Sequence, residues 1–242
     1  LIYAQSTDTE EILIHASRNY TDFKKNIDDI KKTYTHNNYL ENINTYQFPF
    51  KLSTIPRFLD HAPLLHNLFN LKIKHKTRQK PFTEKDYEMT NTEKTILYAL
   101  TKYPQSSDTE IAKKVTLSRA RVSQVKTKLL KEKLIQSTII PDLKKIGCEL
   151  LAIEHTETQE KTTTEIDPKT IFIAEGEIEA IKISALEDYT EYKIIYEKKA
   201  RTYKENTTIK PQTSLIPTEN IKISKLEFSP LVKKILGLDV DF

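Results

Sequence analysis

Three glycines, one cysteine and one methionine are all that the 242 residues hold of those types, and each scarcity excludes something. With so little glycine there is no glycine-rich phosphate loop, and neither a P-loop nor a GxGxxG pattern occurs. The single cysteine, Cys148, rules out a disulfide framework and a cysteine-built zinc site, and it suits a reducing, cytoplasmic compartment. No stretch approaches the roughly 18 apolar residues of a membrane-spanning helix. The opening LIYAQSTDTEEILIHAS has neither a basic n-region nor a long apolar run, so no signal peptide is expected. The sequence starts at Leu1 and not at Met, as a chain beginning partway into a longer protein would.

Chemistry-bearing patterns are equally sparse. The six histidines are scattered, form no HxxxH pair beside a carboxylate, and read as surface or satisfied polar groups. Cys148 opens an apolar strand and reads as core. Asp28-Asp29 and Glu187-Asp188 read as helix-surface or capping acids. No nucleophile motif is present, so no catalytic residue, metal or cofactor is expected and the chain reads as a non-enzyme.

The composition, 38% hydrophobic and 30% charged, allows a packed core. Net charge is only +4, but its distribution is uneven. From Ser118 to Lys133 there are six Lys/Arg against one acid, Glu132, and from Leu71 to Lys80 five Lys/Arg and no acid. Such blocks are the footprint of phosphate contact, and a solvated face or lysine-rich linker is the plainer reading of the second.

The chain is organised around Asn91–Pro141. A helix is expected from about Thr92 to Tyr103, with Ile96, Leu97, Ala99 and Leu100 inward and Pro104 ending it. Ser107 or Asp108 caps a second helix, Asp108–Val115, which turns Ile111, Ala112 and Val115 inward. After the turn Thr116-Leu117, Ser118 caps a third helix. Its Val122, Val125 and Leu129 recur at three and four and must face the other two. The opposite face carries Arg119, Ser123, Gln124 and Thr127, flanked by Arg121, Lys126 and Lys128. Arginine pairs bidentately with guanine and glutamine with adenine, while lysines neutralise phosphate. Leu134–Ile140 gives strand, turn and strand for a small wing. The expected DNA-binding residues are therefore Ser118, Arg119, Arg121, Ser123, Gln124, Thr127, Lys126 and Lys128, on a winged helix-turn-helix.

On both sides lie α+β patterns in the same order. Before the centre come strands at Leu1–Ala4 and Glu11–Ser17, a helix YTDFKKNIDDIKKTY, an aromatic strand Thr45–Phe50, and a Pro63-started helix APLLHNLFNL. After it come strands at Glu149–His155, Ile171–Ala174 and Glu179–Leu186, and a helix YTEYKIIYEKKARTY. Strand-like runs at Leu215–Pro217 and Ile221–Phe228 lead to SPLVKKILGL. The two long helices share five of fifteen residues, and the first Tyr stands 43 residues before the proline in one copy and 41 in the other. That ordered pair of matches reads as an internal duplication. Residues 156–170, polar and Thr-rich, read as an exposed loop.

Residues 90–153 resemble the DNA-binding part of archaeal regulators of the leucine-responsive (Lrp/AsnC) type. The resemblance rests on Ile111-Ala112-Lys113-Lys114, Ser118-Arg119, Pro141-Asp142 and Ile146-Gly147. Two departures stand out: Lys133 replaces a glycine that commonly ends the recognition helix, and Val115-Thr116-Leu117 replaces a turn that usually contains one. The family places its DNA module first and a βαββαβ effector domain after it, whereas here a copy precedes the module. The resemblance implies dimerisation; amino-acid binding is not carried over.

The fold class expected is α+β, a central winged helix-turn-helix flanked by two copies of a ferredoxin-like, RAM-like element. The expected divisions are an N-terminal element at 1–73, a basic linker at 74–90, the DNA module at 91–141 and a C-terminal element at 142–242. The expected function is a sequence-specific, homodimeric transcription regulator on double-stranded DNA, with no membrane partner. The competing reading is a non-specific nucleic-acid-binding protein, chromatin-like or RNA-associated. A small-molecule effector is unidentified; the crevices near Tyr20 and Tyr189 are where one would be sought.

Overall fold

The computed structural model describes residues 3–6, 11–17, 19–36, 43–71, 87–157, 166–205 and 212–239. In chain order these give β1 (Tyr3–Ser6), β2 (Glu11–Ile14), α1 (Tyr20–His36), β3 (Thr54–Arg57) and α2 (Ala62–Leu68). Then follow three helices, α3 (Asn91–Lys102), α4 (Asp108–Val115) and α5 (Arg119–Lys131). Strands β4 (Leu150–Glu157), β5 (Thr170–Glu175) and β6 (Glu179–Leu186) lead to α6 (Tyr189–Glu205). The chain continues through β7 (Gln212–Pro217), a 3-10 turn at Thr218–Asn220, β8 (Ile223–Leu226) and α7 (Ser229–Leu236). They group into two compact units, neither contiguous in sequence: residues 1–44, 85–137 and 222–242, and residues 45–84 and 138–221.

In the first unit β1 is the middle strand of an antiparallel sheet, β2-β1-β8, with Tyr3 opposite Ile14 on one side and Leu226 on the other. Asn19 caps α1, its Oδ1 accepting from the Asp22 N–H at 2.9 Å. The Tyr34 hydroxyl donates to Glu11 across 2.7 Å, tying the end of α1 back to β2. The three central helices share one core of Ile96, Leu97, Ala99, Ile111, Ala112, Val122, Val125 and Leu129. Leu134, Ile135 and, from α7, Val232 and Leu236 pack onto it, so α7 is a fourth helix of the bundle.

Each of the three starts on a hydroxyl that satisfies an otherwise orphaned N–H. Thr90 and Ser107 form reciprocal capping boxes with Glu93 and Glu110, and Ser118 accepts from the Arg121 N–H. The helix ends are less comfortable. Thr116 closes α4 at φ 56°, ψ 46°, and Lys133 follows α5 at φ 58°. Both are L-residues in the left-handed region that glycine enters freely.

The second unit is built on a five-stranded antiparallel sheet, β3-β5-β6-β4-β7. Without β3, the order is second, third, first, fourth, that of a βαββαβ ferredoxin-like sheet. On one face Tyr192 and Ile195 of α6 pack against Leu150, Ala152 and Leu186. Lys182 and Glu154, both nearly inaccessible, sit opposite each other on β6 and β4 and pair at 2.7 Å. Asp167 holds the approach to β5: its Oδ1 accepts from the Lys169 and Thr170 N–H groups and its carbonyl from Arg57 Nη1. Cys148 is fully buried, and burial pushes its thiol up to about 11, so it is core.

Several expectations need correcting. No strand forms at 134–140: Leu134 and Ile135 turn into the helical core and the run continues as irregular chain, so the helix-turn-helix has no β wing among the described residues. Thr45–Phe50 is not a strand either; the strand is β3, four residues further on. Pro56 lacks an N–H, and β3 tolerates it by lying at the sheet edge with an irregular register. The divisions at 1–73 and 142–242 do not coincide with the compact units. β3 of the first segment pairs with β5, and β8 of the last pairs with β1, because each hairpin has an edge that only a distant strand fills. Each sheet therefore takes strands from both sides of the central helices. Tyr20 and Tyr189 are about two-thirds exposed at their helix starts, and each ring lies tilted against the aromatic ring three residues on. Most of the basic run 71–80, most of the linker 74–90, and residues 158–165 of the Thr-rich loop lie outside the described residues.

Replacing Thr116 or Lys133 by glycine is expected to stabilise the helical unit by about 0.5–1 kcal/mol each. A left-handed L-residue costs about 1–2 kcal/mol, and glycine's freer unfolded chain takes part of that back. Denaturation midpoints followed by circular dichroism check this, and a lower midpoint in both variants contradicts the strain.

Candidate nucleic-acid interface

Helix α5 is amphipathic with a narrow apolar seam. Val122, Val125 and Leu129 are buried, while Arg119, Ala120, Arg121, Gln124, Thr127, Lys128, Leu130 and Lys131 are exposed. Between Arg119 and Lys131 the helix carries no acid. A helix presented in this way by two others is what a major groove admits.

The eight residues expected at this face divide by what their polar atoms already do. Ser118 caps α5. The Lys126 ammonium lies 2.9 Å from Asp108 Oδ1 at the start of α4. Together with the Ser123 hydroxyl and the charge of Arg119, it holds the Asp108 carboxyl below its usual range. Ser123 and Lys126 thus join α5 to α4. The Thr127 hydroxyl donates to the Ser123 carbonyl at 2.9 Å, leaving its methyl and lone pairs outward. Arg119 carries its charge into solvent, and Arg121 Nη1 donates to Gln124 Oε1 at 2.9 Å.

Lys128 is the largest departure from a phosphate-contacting role. It donates to Glu93 Oε1 at 2.6 Å and lies over the Tyr87 ring, 5.3 Å from its centroid. The Glu93 side chain is only 5% exposed. Lys128 first, then the Thr90 backbone N–H and hydroxyl, hold its carboxyl down at about 2 against burial, and the same bond raises Lys128. One carboxylate thereby caps α3 and anchors α5.

Two exposed positions escaped the sequence reading. Ala120 stands one turn before Gln124 on the open face, where a small apolar side chain fits a thymine methyl. Lys131 continues the Gln124–Thr127 line with no hydrogen-bond partner among the described residues. The helical period alone placed both; attention to charged residues hid the first and proximity to the helix end the second. On α4, Lys113 is also exposed, while the Lys114 ammonium lies 4.0 Å above the Tyr103 ring. Among the described residues no group of His, Cys, Asp and Glu is placed to hold a metal, and no helix is long and apolar enough to cross a membrane.

The Glu93 arrangement sets a pH dependence. A carboxyl at about 2 when folded and near 4.5 when unfolded contributes stability that is complete above pH 4.5 and is lost as pH falls toward 2. Lys128→Ala keeps the carboxyl buried and removes its main partner, so acid unfolding of the helical unit should begin at higher pH than in the unaltered chain. Lys126→Ala should move it less, because Asp108 is better solvated. Acid titrations followed by circular dichroism test the order, and coincident curves for all three proteins contradict it.

No protein-family model and no curated protein matches the sequence. Among solved structures, the chain is similar to an AsnC family transcriptional regulator from Agrobacterium tumefaciens, at 16% identity over 59% of this chain and 99% of that one, with a TM-score of 0.43. It is similar also to E. coli AsnC, at 14% identity over 54% and 93% with a TM-score of 0.42. For B. subtilis LrpC the values are 18% identity, 54% and 95%, and a TM-score of 0.41. At such values the function has to be read from the residues themselves.

Proposed function

We propose that this chain is a sequence-specific DNA-binding transcription regulator whose α5 enters the major groove. The observation that carries the proposal is the open face of α5. Three helices close a shared core, and every large apolar side chain of α5 except Leu130 is turned into it. What remains outward is a line of donors and cations with no competing acid.

The base-reading residues are Arg119, Arg121, Gln124 and Thr127, with Ala120 beside them. Ser118 caps α5, and Ser123, Lys126 and Lys128 hold it against α4 and α3 and so position the readers. Phosphate contact falls to Lys131 on α5 and to Lys113 on α4, whose charge also acts on Glu110. The chain acts as a homodimer, so that two copies of α5 meet two half-sites about one helical turn apart. The two ββα segments, β1-β2-α1 and β5-β6-α6, are read as a duplicated element serving assembly.

Titrating the full chain against labelled duplex at rising salt tests this. Binding should weaken by about one logarithmic unit in Kd per logarithmic unit of salt for each phosphate neutralised. Lys131→Ala should reduce that slope by about one, while Lys126→Ala, already engaged with Asp108, should leave it unchanged. Equal affinity for all duplexes would support instead the non-specific reading, and no binding at low salt would end both.

A further inference from the structure

Arg121 and Gln124 stand one turn apart on the exposed side of α5, and Arg121 Nη1 donates to Gln124 Oε1 at 2.9 Å. A guanidinium has donors only, so the amide has to offer Arg121 its oxygen, and this fixes its orientation. Gln124 Nε2 then has no partner among the described residues, and neither have the other side-chain N–H groups of Arg121.

The bond changes what Gln124 can recognise. Glutamine reads adenine with one acceptor and one donor, taking a hydrogen from N6 and giving one to N7. Here one of the two lone pairs of that acceptor is held by a charged donor, which also crowds the other. An adenine amino group approaching Oε1 would also meet the N–H groups of Arg121, donor against donor. What the pair shows to a groove is a cluster of donors. Guanine presents two acceptors there, O6 and N7, and adenine presents only one beside a donor. No carboxylate on α5 before Glu132 supplies an alternative acceptor, and on α4 Asp108 is taken by Lys126 and Ser123.

We propose that Arg121 and Gln124 work as one donor surface that selects guanine, with Arg121 setting the specificity of Gln124 by occupying its acceptor. This rests on the DNA-reading role proposed above and goes beyond it. Removing Arg121 does more than weaken a contact: it releases Oε1 and converts Gln124 into an adenine reader.

The test is selection from a pool of random duplexes with the full chain, Arg121→Ala and Gln124→Ala, each confirmed folded by circular dichroism, then competition titration of the selected sites. The unaltered chain should select guanine at a position where Arg121→Ala selects adenine. The guanine preference should be roughly 5- to 150-fold, the span of a good bidentate contact. Gln124→Ala should keep guanine with a smaller preference, since Arg121 remains. The proposal is overturned if Arg121→Ala keeps an undiminished guanine preference, if the unaltered chain selects adenine at the affected position, or if Gln124→Ala abolishes all preference there. A chain that selects a site in any of these patterns is still a sequence-specific DNA binder. One that enriches no sequence at all overturns that role as well.

Discussion

Glu93 is a carboxylate with almost no access to water, and the helical unit is arranged around keeping it charged. Burying an ion costs several kcal/mol unless its oxygens are satisfied, and here both are. Oε2 closes the capping box of α3, and Oε1 takes the Lys128 ammonium from α5. The direction in which α5 projects thus follows from where the first turn of α3 can place an anion. Lys126 and Asp108 repeat the device between α5 and α4. Apolar packing brings the three helices together, but packing of small and medium side chains leaves rotation about a helix axis weakly defined. Two charged bonds from one helix to two neighbours remove that freedom, so that Gln124 and Thr127 face outward.

The same arrangement explains which parts of the fold and site were legible beforehand. Helices α3 and α4 and the start of α5 were read to within a residue because their signals are local: a hydroxyl at each cap, for α3 and α4 an acid three residues on, and apolar positions at three and four. The open face of α5 came from the same period. What α5 does with its cations was not legible, since Lys126 and Lys128 look alike in sequence, and their partners lie 18 and 35 residues away. Counting charge measured the basic face; only three-dimensional pairing separated positioning lysines from free ones.

Strands were read less well for the related reason that their partners are remote. The Leu134–Ile140 run has a β-like composition, but its first two residues, Leu134 and Ile135, pack on the helical core and the rest continues as irregular chain. Thr45–Phe50 is aromatic enough for a strand, yet β3 forms where an edge of β5 is open. That β1 would pair with β8, and β3 with β5, is nowhere encoded in a window of ten residues. The two departures from the Lrp/AsnC-like pattern had a local meaning that only backbone angles disclose. Thr116 and Lys133 both sit in the left-handed region that glycine enters freely, so these two helix ends are held at a cost in strain.

The pairing of β1 with β8 has a bearing on how the chain folds as it is made. Strand β1 can close with β2 within a dozen residues, but its other edge waits for Ile223–Leu226, over two hundred residues later. The core that α3 shares with Val232 and Leu236 is likewise closed only when α7 has been made. During synthesis the three-helix segment is complete by residue 137, whereas its outer covering and the third strand of its sheet are still inside the ribosome or not yet joined. A contiguous helical segment forms early and long-range pairing late. Until the last helix docks, the apolar side of α3 and the second edge of β1 stand open to any other chain that offers a helix or a strand. The exposure of these two surfaces thus lasts for the interval between the synthesis of β1 and that of α7.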